Sequence, residues 1–424
     1  MRVLVVGSGG REHALTWAFA RSPEAPELVC APGNPGMEAI ARCARVDPTD
    51  ASAVAALADD VAADLTVVGP EGPLVAGVVD AVQARGRLAF GPRAAAARLE
   101  GSKAWMKAVL HDAGVPTARY ASFGSGDEER AFAFLDTLPG LYVVKTDGLA
   151  AGKGVVVTES PAEAREAVRA YLSGDAFGDA GRTLVVEEGM SGPELSLLVL
   201  CDGRSAVPLP PAQDFKRAGD GDTGPNTGGI GAYSPVALAG PGVVDEVMRT
   251  AVQPTLDELA RRGVEFRGVL YAGLMLTAEG PKVLEYNVRF GDPESQVVVP
   301  RLASDLLAHC RESAAGHLAT PVVVDPAACV TVVLCAEGYP AAPRTGDLVE
   351  GLDDAASLPG VTVFHAGTAR GADGRIVTAG GRVLAVTATG PTVADARARA
   401  YGAAARIRWP GLHYRRDIAA DTAS

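Results

Sequence analysis

The sequence predicts an α/β fold that begins with a doubly wound parallel sheet, continues into an α+β unit with an inserted lid and ends in a strand-rich domain. Three observations predict this order. Short apolar strands alternate with helical stretches over the first 100 residues, a glycine-rich turn near residue 150 separates two strand-like segments, and apolar strands return beyond residue 325. The 424 residues, 48% hydrophobic and 21% charged, are enough to bury several cores.

The N-terminal domain, placed at residues 1–101, has the pattern of repeated strand–helix–strand units. A glycine-containing turn follows each of its four predicted buried strands, at 3–6, 28–31, 65–68 and 88–90. In an open sheet of this kind the ligand crevice lies beyond the carboxyl ends of the strands. The alanine-rich stretch 93–100 has the character of a join, after which Ser102 is able to cap a helix beginning at Lys103.

The rest of the chain divides into three further parts. A main α+β domain takes 102–122 and 191–324, a lid of 123–190 is inserted between them, and a strand-rich C-terminal domain takes 325–424. The lid is predicted to hold a hairpin, a helix and another strand, at 141–145 with 155–158, at 163–172 and at 183–187. The glycine-rich segment 212–235 is predicted to be a long ordered loop. The C-terminal strands are predicted at 329–335, 362–365, 375–377 and 382–387.

Charge and composition exclude several classes of partner. The net charge of −12 argues against binding to nucleic acid or to anionic membranes, and no apolar run approaches the ~18 residues of a membrane span. The six cysteines form no C-x-x-C pair and the chain opens on a strand, so we expect a cytoplasmic protein without a signal peptide. Of 39 basic residues only six are lysines, which draws attention to Lys103, Lys107, Lys145, Lys153, Lys216 and Lys282.

The first turn, 7–12, begins like a dinucleotide-binding fingerprint but carries Glu12 where that motif has its third glycine. The second strand also ends without an acidic residue to hold a ribose, so a nicotinamide cofactor is disfavoured. What remains is a helix N-terminus of the kind that suits a phosphate or carboxylate. The alternative is that the glycines serve only a tight turn.

The segment 143–155 delivers Lys145 from a strand and Lys153 from a loop of small residues that ends at Gly154. Small residues such as Gly152 let backbone N–H groups approach phosphate oxygens, and the lysines supply compensating charge. The spacing is not that of a P-loop. We interpret the segment as a phosphate-binding loop, with an ordinary hairpin turn as the alternative.

In the strand-like segment 283–294, Glu285, Asn287 and Arg289 fall on one face because side chains alternate along a strand. A carboxylate and an amide oxygen suit Mg²⁺, which usually completes its shell with phosphate oxygens and water. An arginine beyond them is able to hold a carboxylate or a developing phosphoryl charge. The alternative is an exposed polar strand face.

Two further segments carry candidate residues. The strand at 183–187 runs into an acidic corner, which we interpret as a nucleotide hinge: backbone at Glu187, Glu188, Gly189 and Met190 pairs with adenine, while the Glu194 side chain takes the ribose hydroxyls. An acidic surface turn is the alternative. The second segment combines Asp214 and Lys216 with the glycine-rich run 222–233 that includes Asn226.

Taken together, these motifs resemble the phosphoribosylamine–glycine ligase family (glycinamide ribonucleotide synthetases) of the ATP-grasp superfamily. The resemblance extends over almost the whole chain, through 5–15, 31–36, 68–71, 143–155, 222–235, 270–275, 287–294, 364–368 and 380–384. The glycine loop and the metal strand are typical of the superfamily, whereas 287–294 together with 224–233 is similar to this ligase family in particular.

The resemblance implies a pre-ATP-grasp N-terminal domain, an ATP-grasp unit with its lid, and the reaction of the family. That reaction joins glycine to 5-phosphoribosylamine in purine synthesis, converts ATP to ADP and phosphate, and passes through glycyl phosphate. It implies Mg²⁺ or Mn²⁺ as the metal, and we expect a monomer. No His or Cys nucleophile is needed, because phosphoryl transfer depends mainly on positioning and charge stabilisation.

The resemblance also implies residue roles. The catalytic residues would be Lys145, Arg289 and Asp292, and the metal ligands Glu285 and Asn287. ATP would be held by Lys103, Lys145, Gly152, Lys153, Gly154, Glu187, Glu188, Gly189, Met190, Glu194 and Asn226. The substrates would be held by Gly9, Gly10, Arg11, Glu71, Asp214, Lys216, Arg289 and Asp292. Lys107 and Lys282 would be ordinary surface lysines.

Two departures and two alternatives remain. Phe215 stands where the family pattern has histidine, so we place no catalytic role there, and 273–276 offers no earlier acidic ligand for a second metal. One alternative is an ATP-grasp ligase of purine synthesis that uses formate or bicarbonate, which should lack the 289–294 and 222–235 signatures. The other is a non-catalytic nucleotide-binding protein, which should have lost Lys145, Glu285 or Asn287.

Overall fold

The computed structural model describes residues 1–148, 154–173 and 183–420, and it begins with a five-stranded parallel sheet. The strands are ordered β3-β2-β1-β4-β5, and helices flank the sheet. All four strands predicted in this region are confirmed. The elements are β1 (Arg2–Gly7), α1 (Gly10–Phe19), β2 (Glu27–Pro32), β3 (Arg42–Cys43), α2 (Ala51–Asp60), β4 (Leu65–Val68), α3 (Glu71–Val75), α4 (Val78–Ala84), β5 (Leu88–Phe90) and α5 (Ala94–Gly101).

The alanine-rich stretch expected to be a join is itself helix α5, because four consecutive alanines favour helix. The predicted helix start after it is confirmed: α6 (Lys103–Asp112) begins behind Ser102, whose hydroxyl accepts a hydrogen bond from Trp105 N at 3.2 Å. The Asp147 carboxylate accepts from the Ser102 hydroxyl at 3.0 Å and from Ala104 N at 3.1 Å. These bonds tie the lid strand before the glycine loop to the start of α6.

A second sheet of four antiparallel strands, ordered β6-β9-β7-β8, forms the inserted lid. It has its own apolar core, built from the two lid helices and the sheet face they cover. The predicted hairpin, helix and strand are all present, and the sheet begins at Tyr120, slightly before the predicted lid. The elements are β6 (Tyr120–Gly124), α7 (Glu128–Leu135), β7 (Tyr142–Thr146), β8 (Val155–Thr158), α8 (Pro161–Leu172) and β9 (Thr183–Glu188).

The main domain is built on a third sheet, which is antiparallel and ordered β11-β10-β16-β17. Its last strand, β17, brings the predicted metal-strand residues to the edge of the sheet. The elements are β10 (Glu194–Asp202), β11 (Ala206–Pro208), α9 (Pro241–Val247), α10 (Gln253–Arg261), β16 (Arg267–Thr277), β17 (Gly280–Asn287), α11 (Ser295–Val298) and α12 (Leu306–Ala315), when the segment 212–235 is set aside.

The prediction of a long loop at 212–235 is wrong, because this segment forms four short strands. They are β12 (Gln213–Asp214), β13 (Arg217–Gly219), β14 (Thr223–Asn226) and β15 (Gly231–Ser234). Strands β13 and β14 pair with each other, whereas β12 and β15 extend the C-terminal sheet. Strands β12 and β15 of the main domain are therefore part of the C-terminal sheet.

The C-terminal sheet is antiparallel and ordered β12-β15-β18-β22-β19, and a long helix packs against it. The four predicted strands are present. The elements are β18 (Ala328–Cys335), α13 (Leu352–Ala356), β19 (Val361–His365), β20 (Thr368–Arg370), β21 (Ile376–Thr378), β22 (Arg382–Gly390) and α14 (Val393–Ala404). Within the described ranges, no helix is both long and apolar enough to cross a lipid bilayer.

Candidate active site

A cavity of about 1040 Å³ opens where the three main sheets and the lid meet. Many of the predicted site residues line it together, although they come from distant parts of the sequence. They are Arg11, Glu71, Lys103, Gly154, Asp214, Lys216, Asn226, Glu285, Asn287, Arg289 and Asp292. Gly152 and Lys153 lie outside the described residues. The other predicted residues are not part of its lining.

Two lysines bring positive charge to the lid side of this cavity. Lys103, at the first position of α6, donates from Nζ to the Gly148 carbonyl at 2.8 Å, which places it at the start of the glycine loop. Burial lowers the pKa of Lys103, while the negative charge of Glu285 opposes that shift. Lys145 on β7 is buried beside it, and the charges of Lys103 and Lys145 repel each other.

Lys107 is not a surface lysine, which corrects the sequence prediction. Its side chain is 0% exposed, and Nζ lies 3.1 Å from Glu187 Oε2. The other carboxylate oxygen, Glu187 Oε1, lies 3.0 Å from Lys145 Nζ. Burial would raise the pKa of Glu187, but the charges of Lys145 and Lys107 outweigh it and lower that pKa, so the carboxylate is ionised.

The acidic corner after β9 offers fewer backbone N–H donors to a nucleotide than the sequence suggested. The N–H groups of Glu188 and Gly189 already donate to the carbonyls of Arg119 and Leu141, at 2.9 and 2.8 Å. The Glu188 carboxylate accepts from Arg119 N at 2.9 Å. A base docking here therefore cannot use those two amides without breaking the lid sheet, which leaves Met190 as the corner's candidate N–H donor.

The positive charge of Lys216 is compensated by two neighbouring carboxylates. Its Nζ is ion-paired with the Glu194 carboxylate and lies 3.1 Å from Asp214 Oδ1. Burial would lower the pKa of Lys216, but Asp214 and Glu194 raise it well above its usual value. Two carboxylates around one ammonium leave this wall of the cavity negative. The ammonium of Lys216 is therefore compensated by carboxylates of the protein itself, and Glu194 is engaged by Lys216.

The predicted alternation along β17 and the two residues after it is confirmed in part. Tyr286 and Val288 are buried in the apolar core, and Glu285, Asn287 and Arg289 line the cavity, but Asn287 is also buried and Tyr286 also reaches the cavity lining. Burial would raise the pKa of Glu285, but Lys145, Lys216 and Lys103 outweigh it and lower that pKa. Among the described residues, the Glu285 carboxylate has no hydrogen-bond or ion-pair partner. An ionised, unpartnered carboxylate facing a cavity suits a metal ion.

Arg289 is held on several sides at once. Its guanidinium lies 2.9 Å from Glu100 Oε1, 3.2 Å from Glu71 Oε2 and 3.1 Å from the Asn287 side-chain oxygen. Burial would raise the pKa of Glu71, but the charges of Arg289 and Arg11 outweigh it and lower that pKa to about 2. Glu100, which also accepts from Val288 N at 2.8 Å, was not found from the sequence.

The first turn meets Asp292 from the other side of the cavity. A Cβ at Gly10 would lie 2.6 Å from Gln296 Nε2 and 3.5 Å from Asp292 Oδ1, so only glycine allows this approach. Gly9 N donates to Glu12 Oε2 at 2.6 Å. The protein's own Glu12 thus occupies the helix N-terminus that the sequence offered to a phosphate. Gly9 and Gly10 face Asp292, as predicted.

Arg382 on β22 is a further cavity residue that sequence reasoning missed. Its guanidinium donates to the Asp292 carbonyl at 2.7 Å and lies 3.3 Å from Asp292 Oδ2. Gln296 donates to the other carboxylate oxygen at 2.7 Å. Arg382 lies in the motif 380–384, one of the segments that resemble the family, and this motif could have identified it as a site residue. Within the described residues, no three His, Cys, Asp or Glu side chains gather into a metal cage.

The sequence is similar to known proteins over its full length. Three family models match: the N domain of phosphoribosylglycinamide synthetase over residues 1–100, its ATP-grasp (A) domain over 101–295 and its C domain over 329–421. A phosphoribosylamine–glycine ligase of Streptomyces coelicolor is 51% identical over 427 residues, covering 100% of both chains. One of Mesorhizobium japonicum is 50% identical and covers 99% of this chain and 97% of that protein.

A solved structure gives the same result at the level of the fold. The crystal structure of phosphoribosylamine–glycine ligase from Thermotoga maritima superimposes with a TM-score of 0.86 at 35% identity, over 99% of this chain and 100% of that one. Sequence, family models and fold agree along the whole chain. The chain therefore belongs to the phosphoribosylglycinamide synthetase family.

Proposed function

We propose that this chain joins glycine to 5-phosphoribosylamine in an ATP-dependent ligation that yields glycinamide ribonucleotide, ADP and phosphate in purine biosynthesis. Family membership over the whole chain supports this activity. The observation that carries it is one cavity whose lining brings together lysines, a half-buried arginine and a carboxylate that has no partner within the described residues. The formate- and bicarbonate-using alternatives are not favoured, because the ligase signatures at 289–294 and 222–235 both border this cavity.

The chemistry divides into two steps. A glycine carboxylate oxygen attacks the γ-phosphorus of ATP, which forms glycyl phosphate and releases ADP. The amine of phosphoribosylamine then attacks the acyl carbon, the C–O bond to phosphate breaks, and the amine proton leaves with the phosphate. Both steps develop negative charge on phosphoryl oxygens, so fixed cations at the cavity stabilise them.

On the nucleotide side, we assign the triphosphate to Lys103, Lys145 and Lys153 with the glycine loop that contains Gly152 and Gly154. Adenine is assigned to the corner at Glu187–Met190, with Met190 N as the donor, and Asn226 to the phosphate end of the cavity. Glu194 is assigned to the ribose. Its carboxylate would then accept hydrogen bonds from the ribose hydroxyls while it also pairs with Lys216.

The reaction uses ATP with a divalent metal ion, and Mg²⁺ or Mn²⁺ is our proposal for it. Glu285 and Asn287 fit this role, because an ionised carboxylate and an amide oxygen share one strand face beside the lysines. When bound, such an ion neutralises phosphate charge and orients the oxygens that it contacts. Asn287 also accepts from Arg289, which aligns its side-chain oxygen.

On the substrate side, Arg289 is assigned to the glycine carboxylate and to the acyl phosphate derived from it. Asp292 is held by Arg382 and Gln296, and it is assigned to the amine of phosphoribosylamine across from Gly9 and Gly10. Arg11, Glu71, Asp214 and Lys216 complete the proposed walls. The division into 1–101, 102–122 with 191–324, 123–190 and 325–424, a monomeric state and a cytoplasmic location are part of the same proposal.

The activity is tested by ADP release from the purified protein with Mg²⁺, ATP and freshly generated phosphoribosylamine. Parallel reactions contain glycine, formate or bicarbonate at equal concentration. We expect ADP release that requires both glycine and phosphoribosylamine. Release that depends on formate or bicarbonate and ignores glycine would replace the proposed function with one of the alternatives, and no release with any acid would favour a binding protein.

A further inference from the structure

Lys107 is buried next to the nucleotide side of the cavity but does not line it. Its side chain is 0% exposed on the inner face of α6. Nζ donates to the Thr117 hydroxyl at 2.7 Å and lies 5.5 Å from the centre of the Tyr120 ring. These contacts hold the ammonium inside the protein, so Lys107 acts on a ligand only through other residues.

The residue it acts through is Glu187. This carboxylate is 2% exposed and lies between two ammonium groups, with Oε2 3.1 Å from Lys107 Nζ and Oε1 3.0 Å from Lys145 Nζ. Lys145 does not line the cavity either, but its charge acts on Lys103 and Glu285, which do. A chain of charges therefore runs from Lys107 through Glu187 and Lys145 to the cavity wall.

The two ion pairs of Glu187 explain why two lysines are needed. With Lys107 in place, each ammonium group faces one oxygen of the carboxylate. Without Lys107, Lys145 would be the one ammonium left to pair with Glu187, and the carboxylate would compete more strongly with a phosphate for the Lys145 charge. Ion pairs between buried groups are weakly screened, so this competition affects the charge that the cavity receives.

We propose that Lys107 is a positioning residue for ATP binding, which neutralises and orients Glu187 so that the charge of Lys145 remains available to phosphate. The inference rests on the proposed function for the identity of the ligand. It assigns a role to a lysine that makes no contact with the cavity. A merely structural lysine would instead contribute to stability and leave nucleotide affinity unchanged in the folded protein.

The test is a double-mutant cycle on ATP affinity, measured by equilibrium binding with Mg²⁺ and without glycine, so that no turnover occurs. The variants are Lys107→Met, Glu187→Gln and their combination. Lys282→Met is the matched control, because Lys282 pairs with Glu279 at the surface, away from the cavity lining. Each variant is measured at a temperature at which its melting curve shows it to be folded.

We expect Lys107→Met to weaken ATP binding by roughly tenfold or more, the usual scale of a lost charge-assisted contact. In the Glu187→Gln background the same substitution should change ATP affinity by less than about threefold, because no carboxylate remains to offset Lys145. Lys282→Met should bind ATP like the unaltered protein. If Lys107→Met does not fold, Lys107→Gln replaces it, since its amide still donates to Thr117 and carries no charge.

Unchanged ATP affinity in a folded Lys107→Met or Lys107→Gln protein would overturn the inference. An equal loss of affinity in the presence and absence of the Glu187 carboxylate would also overturn it, because Lys107 would then act by another route. Failure of the proposed function is recognised separately, by the absence of glycine-dependent ADP release in the unaltered protein. The binding cycle is still interpretable in that case, because it uses ATP alone.

Discussion

Glu285 is the residue on which the metal assignment depends. Its carboxylate is ionised in a field of four cations, namely Lys145, Lys216, Lys103 and Arg289, and it has no partner among the described residues. A carboxylate placed in this way is stable only because the surrounding charges compensate for its burial. Because no residue that the structure describes pairs with it, a ligand can use both oxygens.

We predict that Glu285→Gln lowers glycine-dependent ADP formation by about 100-fold or more, since even outer-shell partners of a metal site change activity by 10- to 100-fold. The shape of the side chain is retained and no hydrogen bond within the described residues is lost, so the protein should stay folded, with a melting temperature lowered by the lost attraction to the surrounding cations. Initial rates over a range of Mn²⁺ concentrations measure the effect. Glu279→Gln, at an exposed carboxylate, is the control, and a fully active Glu285→Gln enzyme would contradict the metal assignment.

The lysines show what sequence reasoning could and could not resolve at this scale. The helix start at Lys103 was predicted correctly because it followed from a local signal, the Ser102 cap. Lys107 was misjudged, although it lies four residues later on the same helix and therefore on the same face. The ion pair between Lys216 and Glu194 was not predicted, because Glu194 lies on a different strand and no local pattern reveals the contact.

At the scale of elements, local periodicity was a reliable guide where a strand has one buried face. The alternation of β17 follows from the two-residue repeat of a strand, and it placed Glu285 and Asn287 at the cavity and Tyr286 in the core as expected. The segment 212–235 was misjudged because its strands are short and one of them, β15, pairs with β18, which lies about a hundred residues later. Pairing at that distance overrides the turn signals of glycine and proline.

Helix α1 and strand β19 meet through two histidines that make this contact sensitive to acid. His13 Nδ1 accepts a hydrogen bond from His365 N at 2.8 Å. Burial and the neighbouring charge of His365 lower the pKa of His13 to about 3, and burial with the charge of Arg370 lowers the pKa of His365 to about 4. Both rings are therefore neutral in the folded protein well below their ordinary pKa of about 6.5.

A folded-state pKa below the unfolded value contributes stability above pH 6.5, and this stability is lost as the pH falls toward 3. We predict that His13→Asn, which keeps an acceptor for His365 N but does not titrate, reduces the loss of unfolding free energy between pH 6.5 and 5 by about 2 kcal/mol. Urea unfolding at the two pH values measures it. His317→Asn, at an exposed position, should lose stability as the unaltered chain does, and an identical loss in His13→Asn would refute the prediction.

At the scale of the whole molecule, the cavity is formed by residues from three different sheets. The first turn approaches Asp292 from one sheet, β17 and the segment that follows it supply Glu285 and Arg289 from a second, and Arg382 lies on a third. Each of these segments has its own sequence motif, and the resemblance predicted that they contribute to one site. The Glu100 contact to Arg289 and the Glu187 bridge were not predicted, because buried charge pairs depend on packing that has no short-range signature.

The most direct test of the central claim follows one oxygen atom through the reaction. Glycine labelled with ¹⁸O in its carboxylate is supplied with ATP, Mg²⁺ and phosphoribosylamine, and the inorganic phosphate is analysed by mass spectrometry. Attack of the carboxylate on ATP followed by displacement by the amine must transfer one ¹⁸O to each phosphate and leave the other in the amide. Phosphate without ¹⁸O, formed alongside the amide product, would contradict the glycyl phosphate route that we assign to this cavity.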